Sequence, residues 1–381
     1  MTSNAGETHG RLWRYPPAGE PPLRGLRVLD FSTFGPGPFA TQIMADLGAT
    51  VIKVEKPGGE VQRHTVPEFF HALNRGKSSL ELNLKDPGDS RLCAALAAQA
   101  DVLVESFRPG AMARLGLGVE VVAEVNPALV YVSIPPFAET GPGSGEQGHE
   151  TQFNARSGAF VDPSGGMHEP PPAPFSDLGS GAFAVIGTLA ALGQPDRHAA
   201  RVAVPVLGAA VAFMFMRLLR ELNVDTSVER PWRSEPAAGP FPTGGDGFIA
   251  FSAVDPKAWD ALVDLLDVPR LRGPDFADYA NRRQRIPEVN SIITARLAED
   301  SQASWLEKFR AADIPVAPAN RAPEVFDDPF VKALGILEQE PVPHLRLPIS
   351  GVPSVTNVRP PELDDCGPTV RRRGWPGLES S

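Results

Sequence analysis

A histidine and an aspartate carry the most specific chemistry in this chain. His149 follows a loop rich in Gly, Pro and Ser, residues 140–148, within the run Gly148-His149-Glu150-Thr151-Gln152-Phe153. Asp177 ends a Pro-rich approach, residues 170–176, just before a long apolar pattern of helical period at 181–192. Both sit where elements begin or end, and functional side chains concentrate at such places. An imidazole and a carboxyl group offered from separate loops can stand on the two faces of one carbon and move a proton across it. Each residue also has a plainer reading. A lone His after a Gly-rich loop is commonly structural, and an Asp ahead of a helix is a common N-cap.

The elements that must position them begin with a strand at 26–31, the turn Gly35-Pro36-Gly37-Pro38, a helix at 39–47 closed by Gly48, and a strand at 50–55. This βαβ opening predicts a parallel sheet. The turn lacks the third glycine of a dinucleotide fingerprint, and its prolines remove N–H donors that would cradle a pyrophosphate. A nicotinamide cofactor is therefore not expected. Strands at 79–84, 101–105 and 129–134 and a helix at 90–99 continue the alternation. Residues 202–222 read as one long helix and 223–240 as a loop. A smaller α+β unit follows, with a strand at 248–253 and helices at 256–266, 286–297 and 302–312. The strand expected at 314–317 is read as returning to the first domain, and 360–381 as a polar tail. The domain reading is thus a loose leader at 1–22, a large domain at 23–201, a linker at 202–240, a small domain at 241–313, and a return with tail at 314–381.

Composition narrows the function classes. The 381 residues are 42% hydrophobic and 22% charged, ordinary for a globular protein with two cores. A formal charge of −10 argues against general affinity for nucleic acid or anionic membranes, which depends on clustered Lys and Arg. Cys93 and Cys366 are the only cysteines, which fits neither a disulfide framework nor a zinc site, and a reducing, cytoplasmic setting is expected. No metal is expected. The apolar run 202–216 contains Pro205 and reads as a buried helix rather than a membrane span.

Several segments, taken in order, resemble the family III CoA-transferases (the CaiB/BaiF group), which also contain the α-methylacyl-CoA racemases. They are Leu23-Arg24-Gly25-Leu26-Arg27-Val28-Leu29-Asp30, Phe34-Gly35-Pro36-Gly37-Pro38, Asp46-Leu47-Gly48-Ala49-Thr50-Val51-Ile52-Lys53-Val54-Glu55 and Asn74-Arg75-Gly76-Lys77-Ser78-Ser79. Phe107-Arg108-Pro109-Gly110, Leu115-Gly116-Leu117-Gly118, Gly148-His149-Glu150 and Asp313-Ile314-Pro315-Val316-Ala317-Pro318 complete the set. The resemblance implies an α/β fold: a Rossmann-like large domain built from both chain ends, a small α+β domain, and an interlocked homodimer. It implies an acyl-CoA thioester as ligand, with no cofactor beyond the CoA moiety.

By position, Lys56, Leu82, Asn83, Leu84, Lys85, Ser106, Phe107, Arg108 and Arg114 match the nucleotide side of the CoA site, and Gly148, Thr151, Gln152 and Phe153 its thioester side. In the racemase branch His149 and Asp177 take the two acid/base positions, and Asp255 the place of a carboxylate that holds the His. The backbone N–H of Glu150 is then the candidate donor to the enolate oxygen. Such a pair needs similar proton affinities, so burial is expected to raise Asp177. In the transferase branch the same Asp is a nucleophile, the His is generally lacking, and a run of glycines covers the acyl group. Gly244, Gly245 and Gly247 read instead as a hairpin turn. The sequence thus favours an epimerase of 2-methylacyl-CoA esters. CoA transfer through Asp177 and a catalytically silent CoA-ester binder are the alternatives. Three positions depart from the racemase pattern: Glu150 for Asp, Asp255 for Glu, and Gln194-Pro195-Asp196-Arg197-His198 for a Gly-Lys-Gly-Gln segment.

Overall fold

The computed structural model describes residues 13–161, 166–167, 169, 171–195, 198–223, 235–338, 344–355 and 359–375. The first part of the expected leader, most of the expected 223–240 loop, His168 and the end of the tail lie outside the described residues. The chain forms two units, Met1–Val224 with Gly335–Ser381, and Asp225–Leu334.

In the large unit, strands β1 (Arg27–Asp30), β2 (Thr50–Glu55), β3 (Ser78–Glu81), β4 (Val102–Glu105), β5 (Val130–Ser133) and β6 (Arg201–Ala203) pair in the order β3-β2-β1-β4-β5-β6. Every pairing is parallel. All residues of β1, β4 and β5 are buried, as a parallel sheet covered on both faces requires. Alternate residues feed two cores. Val28, Val102, Val104, Val130 and Val132 face one; Leu29, Leu103 and Tyr131 face the other. β6 replaces the start of the helix expected at 202–222, which begins only at Val206; with Arg201 and Ala203 exposed, a short edge strand shows no apolar run.

The first core is covered by α1 (Pro36–Asp46), α2 (Glu150–Arg156), α3 (Phe175–Leu192) and α4 (Val206–Asn223), with α3 packed against α1 and α4. Helix α3 starts at Phe175 rather than 181, because packing overrides the low helix propensity of Gly179 and Gly181. It is long and apolar enough to cross a membrane by length and composition, and half of it is buried here. Helix α4 belongs to the large unit, so the expected linker helix is part of its wall. Both chain ends contribute. Cys366 Sγ and the Asp365 carboxylate bind the backbone of Ser79, and Trp375 is buried in the second core.

The small unit holds an antiparallel sheet, β7 (Ala238–Pro242), β8 (Phe248–Ser252) and β9 (Val316–Pro318), in that order. Helices α5 (Pro256–Leu266), α6 (Ile286–Leu297) and α7 (Gln302–Ala311) share its core through Trp259, Ile293, Trp305 and Phe309. Two expectations change. β7 forms where a loop was read, because Gly239, Pro240 and Pro242 mask its pattern. β9 pairs with β8 instead of rejoining the large unit, and the chain returns at Gly335.

Candidate active site

In a parallel sheet of this order the chain reverses direction between β1 and β4, and ligands bind outside the carboxyl ends of the strands at that point. Here the Thr33 N–H, after β1, donates to Ser106 Oγ, after β4, at 3.1 Å. Beside them opens a cleft of about 330 Å³ lined by residues that include Phe34, Ser106, Arg108, Ile134, His149 and Asp177. The two groups singled out in the sequence therefore meet in one cleft.

Asp177 lies in the first turn of α3, two positions past its start, and is no N-cap. Pro174 holds the cap position and offers no side-chain acceptor. The free N–H groups of a helix start need partners. Glu150, at the start of α2, supplies them from outside: its carboxylate accepts from Ser176 N–H at 3.1 Å and Asp177 N–H at 3.0 Å. Asn154 Nδ2 fixes the same carboxylate at 3.0 Å, and Ser176 Oγ donates to Asn154 Oδ1 at 2.6 Å. The extra methylene of Glu150 relative to Asp gives the reach to bridge two helices. Two glycines let α3 press against the loop before α1. A Cβ on Gly181 would stand 2.6 Å from the Pro36 carbonyl, and one on Gly35 would stand 2.6 Å from Asp177 Oδ2.

Electrostatics follow from this packing. Burial raises the Asp177 carboxyl, and the neighbouring Glu150 carboxylate raises it further, to about 7. The expected effect of burial is present, joined by a like charge that the sequence reading had cast only as an N–H donor.

His149 is the N-cap residue of α2, exposed, with its N–H donating to Gln152 Oε1 at 3.0 Å. Its ring stands edge-on to Phe34, centroids 5.6 Å apart. Among the described residues of the large unit no hydrogen bond reaches that ring. Asp255, expected to hold it, caps α5 in the small unit by accepting from Ala258 N–H at 3.0 Å.

The other expected contacts divide. Ser106, Phe107, Arg108, Gly148 and Phe153 line the cleft. Lys56, Asn83 and Lys85 are exposed just after β2 and β3, and Arg114 ends a short helix after β4, all on the carboxyl side of the sheet. Leu82 is a correction: it is buried in the second core, with Leu84 packed against it, so its side chain faces no ligand. Thr151 and Gln152 are exposed outside the cleft lining, and Gln152 serves the α2 start. Phe34, Gly35, Asn154 and Ser176 were missed as site residues. The first two lie inside a motif already noted, and Ser176 adjoins Asp177.

A family model described as CoA-transferase family III matches residues 23–378. The chain belongs to this family. A Mus musculus succinyl-CoA:glutarate CoA-transferase is 32% identical over 83% of this chain and 76% of the relative. An acetyl-CoA:oxalate CoA-transferase of Acetobacter aceti is 31% identical over 92% of this chain and 95% of that one. A solved structure of a hypothetical protein from Mycobacterium tuberculosis superposes with a TM-score of 0.80 at 30% identity, over 91% of this chain and 98% of the other. A CaiB/BaiF family protein from Brucella suis gives a TM-score of 0.80 at 26% identity, over 93% and 99%. The family III chain is an enzyme of this group, and the transferase names of its relatives fit the second reading of Asp177 better than the racemase reading.

Proposed function

We propose that this enzyme moves CoA from an acyl-CoA thioester to an acceptor carboxylic acid, with Asp177 as nucleophile. The observation that carries the reading is the placement of the Glu150 carboxylate on the first turn of α3, beside Asp177. It raises the basicity of a carboxyl group that still ionises near neutral pH, and a more basic carboxylate attacks a thioester carbonyl more readily. Attack by Asp177 breaks the C–S bond and expels CoA thiolate, leaving a mixed anhydride. The thiolate then attacks the aspartyl carbonyl and releases the first carboxylate. The acceptor carboxylate attacks the resulting aspartyl-CoA thioester, and thiolate recapture of the acceptor's acyl group regenerates Asp177. No proton crosses a carbon, so the His149 ring is not required as a base.

One experiment separates this from the alternatives. A single 2-methylbutyryl-CoA epimer is incubated in deuterated water with and without acetate. Acceptor-dependent appearance of acetyl-CoA with no epimerisation supports the transferase. Deuterium exchange without acceptor supports the racemase, and binding with neither supports a silent homologue.

The exposed apolar row on α3 and α4, with Ile186, Phe213, Phe215 and Met216, the last 76% exposed, suits a second copy of the chain, in keeping with the homodimer the family resemblance implies.

A further inference from the structure

The loop from β1 to α1 holds Phe34 at φ 65°, in the left-handed region that a bulky residue adopts only when its surroundings enforce it. The enforcing groups are buried and ionic. The Phe34 N–H donates to Glu60 Oε1 at 2.7 Å, and Glu60 Oε2 pairs with Lys53 Nζ at 2.7 Å. Lys53 Nζ also donates to the Ser32 carbonyl at 2.9 Å, two residues before Phe34. With its amide nitrogen turned inward, Gln62 donates to Phe34 O and Glu60 Oε1, each at 3.2 Å. Glu60 is itself fixed, because its N–H donates to Glu55 Oε2 at 2.9 Å. The Phe34 N–H is thus tied to a buried pair of charges, and its carbonyl to Gln62, which bonds the same Glu60 carboxylate.

This clamp holds an aromatic ring where folding gains little from it. Phe34 is 42% exposed, lines the cleft, and stands edge-on to His149. The next residue, Gly35, is the one whose missing side chain admits Asp177. Phe34 and Asp177 line the same cleft, so a group bound to a carbon attacked by Asp177 shares that space with the Phe34 ring. The cleft adds apolar surface from Ile134, Pro136 and Val206.

We infer that Phe34 is a specificity-determining residue that limits the acyl group to short apolar chains, and that the buried Glu60–Lys53 pair is the positioning device that keeps its ring in the cleft. The inference rests on the reading of this cleft as the CoA-transfer site. Glu60 acts only through Phe34, so its removal matters only while the ring is present.

The test compares acetyl-CoA with hexanoyl-CoA as donor, acetate or propionate as acceptor, and reads the ratio of kcat/KM for the longer over the shorter donor. Phe34→Ala raises the ratio about tenfold, the scale on which a pocket discriminates a few methylenes. Glu60→Gln shifts it in the same direction by less, and adds nothing to Phe34→Ala in the double variant. An unchanged ratio in Phe34→Ala, or an additive effect in the double variant, overturns the inference. Should Glu60→Gln fail to fold, Gln62→Ala loosens the same clamp without leaving a buried charge. The same ratios read as Kd by calorimetry, without acceptor, keep the two readings apart. A Kd ratio that shifts in an enzyme transferring no CoA sustains Phe34 and sinks the transferase. Transfer with unshifted ratios does the reverse.

Discussion

Two aspartates in the large unit, Asp30 fully buried and Asp177 half-buried at the cleft, have opposite fates. Asp30 ends β1, and burial alone would raise it. Lys77 Nζ at 3.0 Å, with Lys53 nearby and bonds from the Ser32 and Thr41 hydroxyls, instead brings its carboxyl down to about 2. Among the described residues no such cation acts on Asp177, and burial together with Glu150 takes it up to about 7. The first carboxylate is closed off and neutralised by Lys77, whose own ammonium burial lowers to about 8 against the pull of Asp30. The second faces a cleft and a like charge. A buried carboxylate matched by cations holds a fold together, whereas one beside another carboxylate is held ready to react.

The contrast is sharpest in rate against stability. Asp177→Asn is expected to lower CoA transfer by on the order of 10³-fold or more, because an amide cannot attack the thioester to form the anhydride. Its thermal midpoint should hold or rise by a few degrees, since a half-buried ionisable group is gone. Transfer that survives in Asp177→Asn breaks the comparison. Lys77→Met should do the opposite. Removing the cation in contact with the buried Asp30 costs up to about 3–5 kcal/mol, read as a lower urea midpoint, while the folded fraction turns over normally.

Glu150→Gln is a finer probe, since Gln can still accept one of the two α3 N–H bonds. Wild-type kcat/KM should climb as pH rises through about 7, where the Asp177 carboxylate forms. Removing the Glu150 charge lowers the Asp177 pKa and moves that limb to lower pH, leaving the part of the rise that burial causes. The two aspartates also set opposite stability slopes. Native Asp177 keeps a proton that the unfolded chain loses above about pH 4, so its contribution to stability falls as pH rises from there to about 7. The Asp30 contribution is fully present above about pH 4 and is lost as pH falls through about 2.

Much of this was legible in the sequence. The alternation of apolar strands and amphipathic helices placed β1 to β5 within a few residues, because parallel strands buried on both faces must be apolar throughout. β6 and β7 were not legible, since one is an exposed edge and the other is interrupted by glycine and proline. Position and residue type singled out His149 and Asp177 as candidates, and the family resemblance gave them their expected roles. The role of Glu150 was hidden, because a carboxylate that caps another helix leaves no signal in its own neighbourhood. Phe34 was hidden for a related reason: its constraint comes from Glu60 and Lys53, charges that read in sequence as an ordinary strand and its exit.

The central claim is that Asp177 becomes covalently bound to the substrate during transfer. The direct measurement is mass analysis of the Asp177 peptide after incubating the enzyme with acyl-CoA, with and without borohydride, which reduces an activated aspartyl carbonyl to the alcohol. The account predicts CoA on Asp177 before reduction and the alcohol at that position after it. An unmodified Asp177 in an enzyme that still transfers CoA at full rate would contradict it.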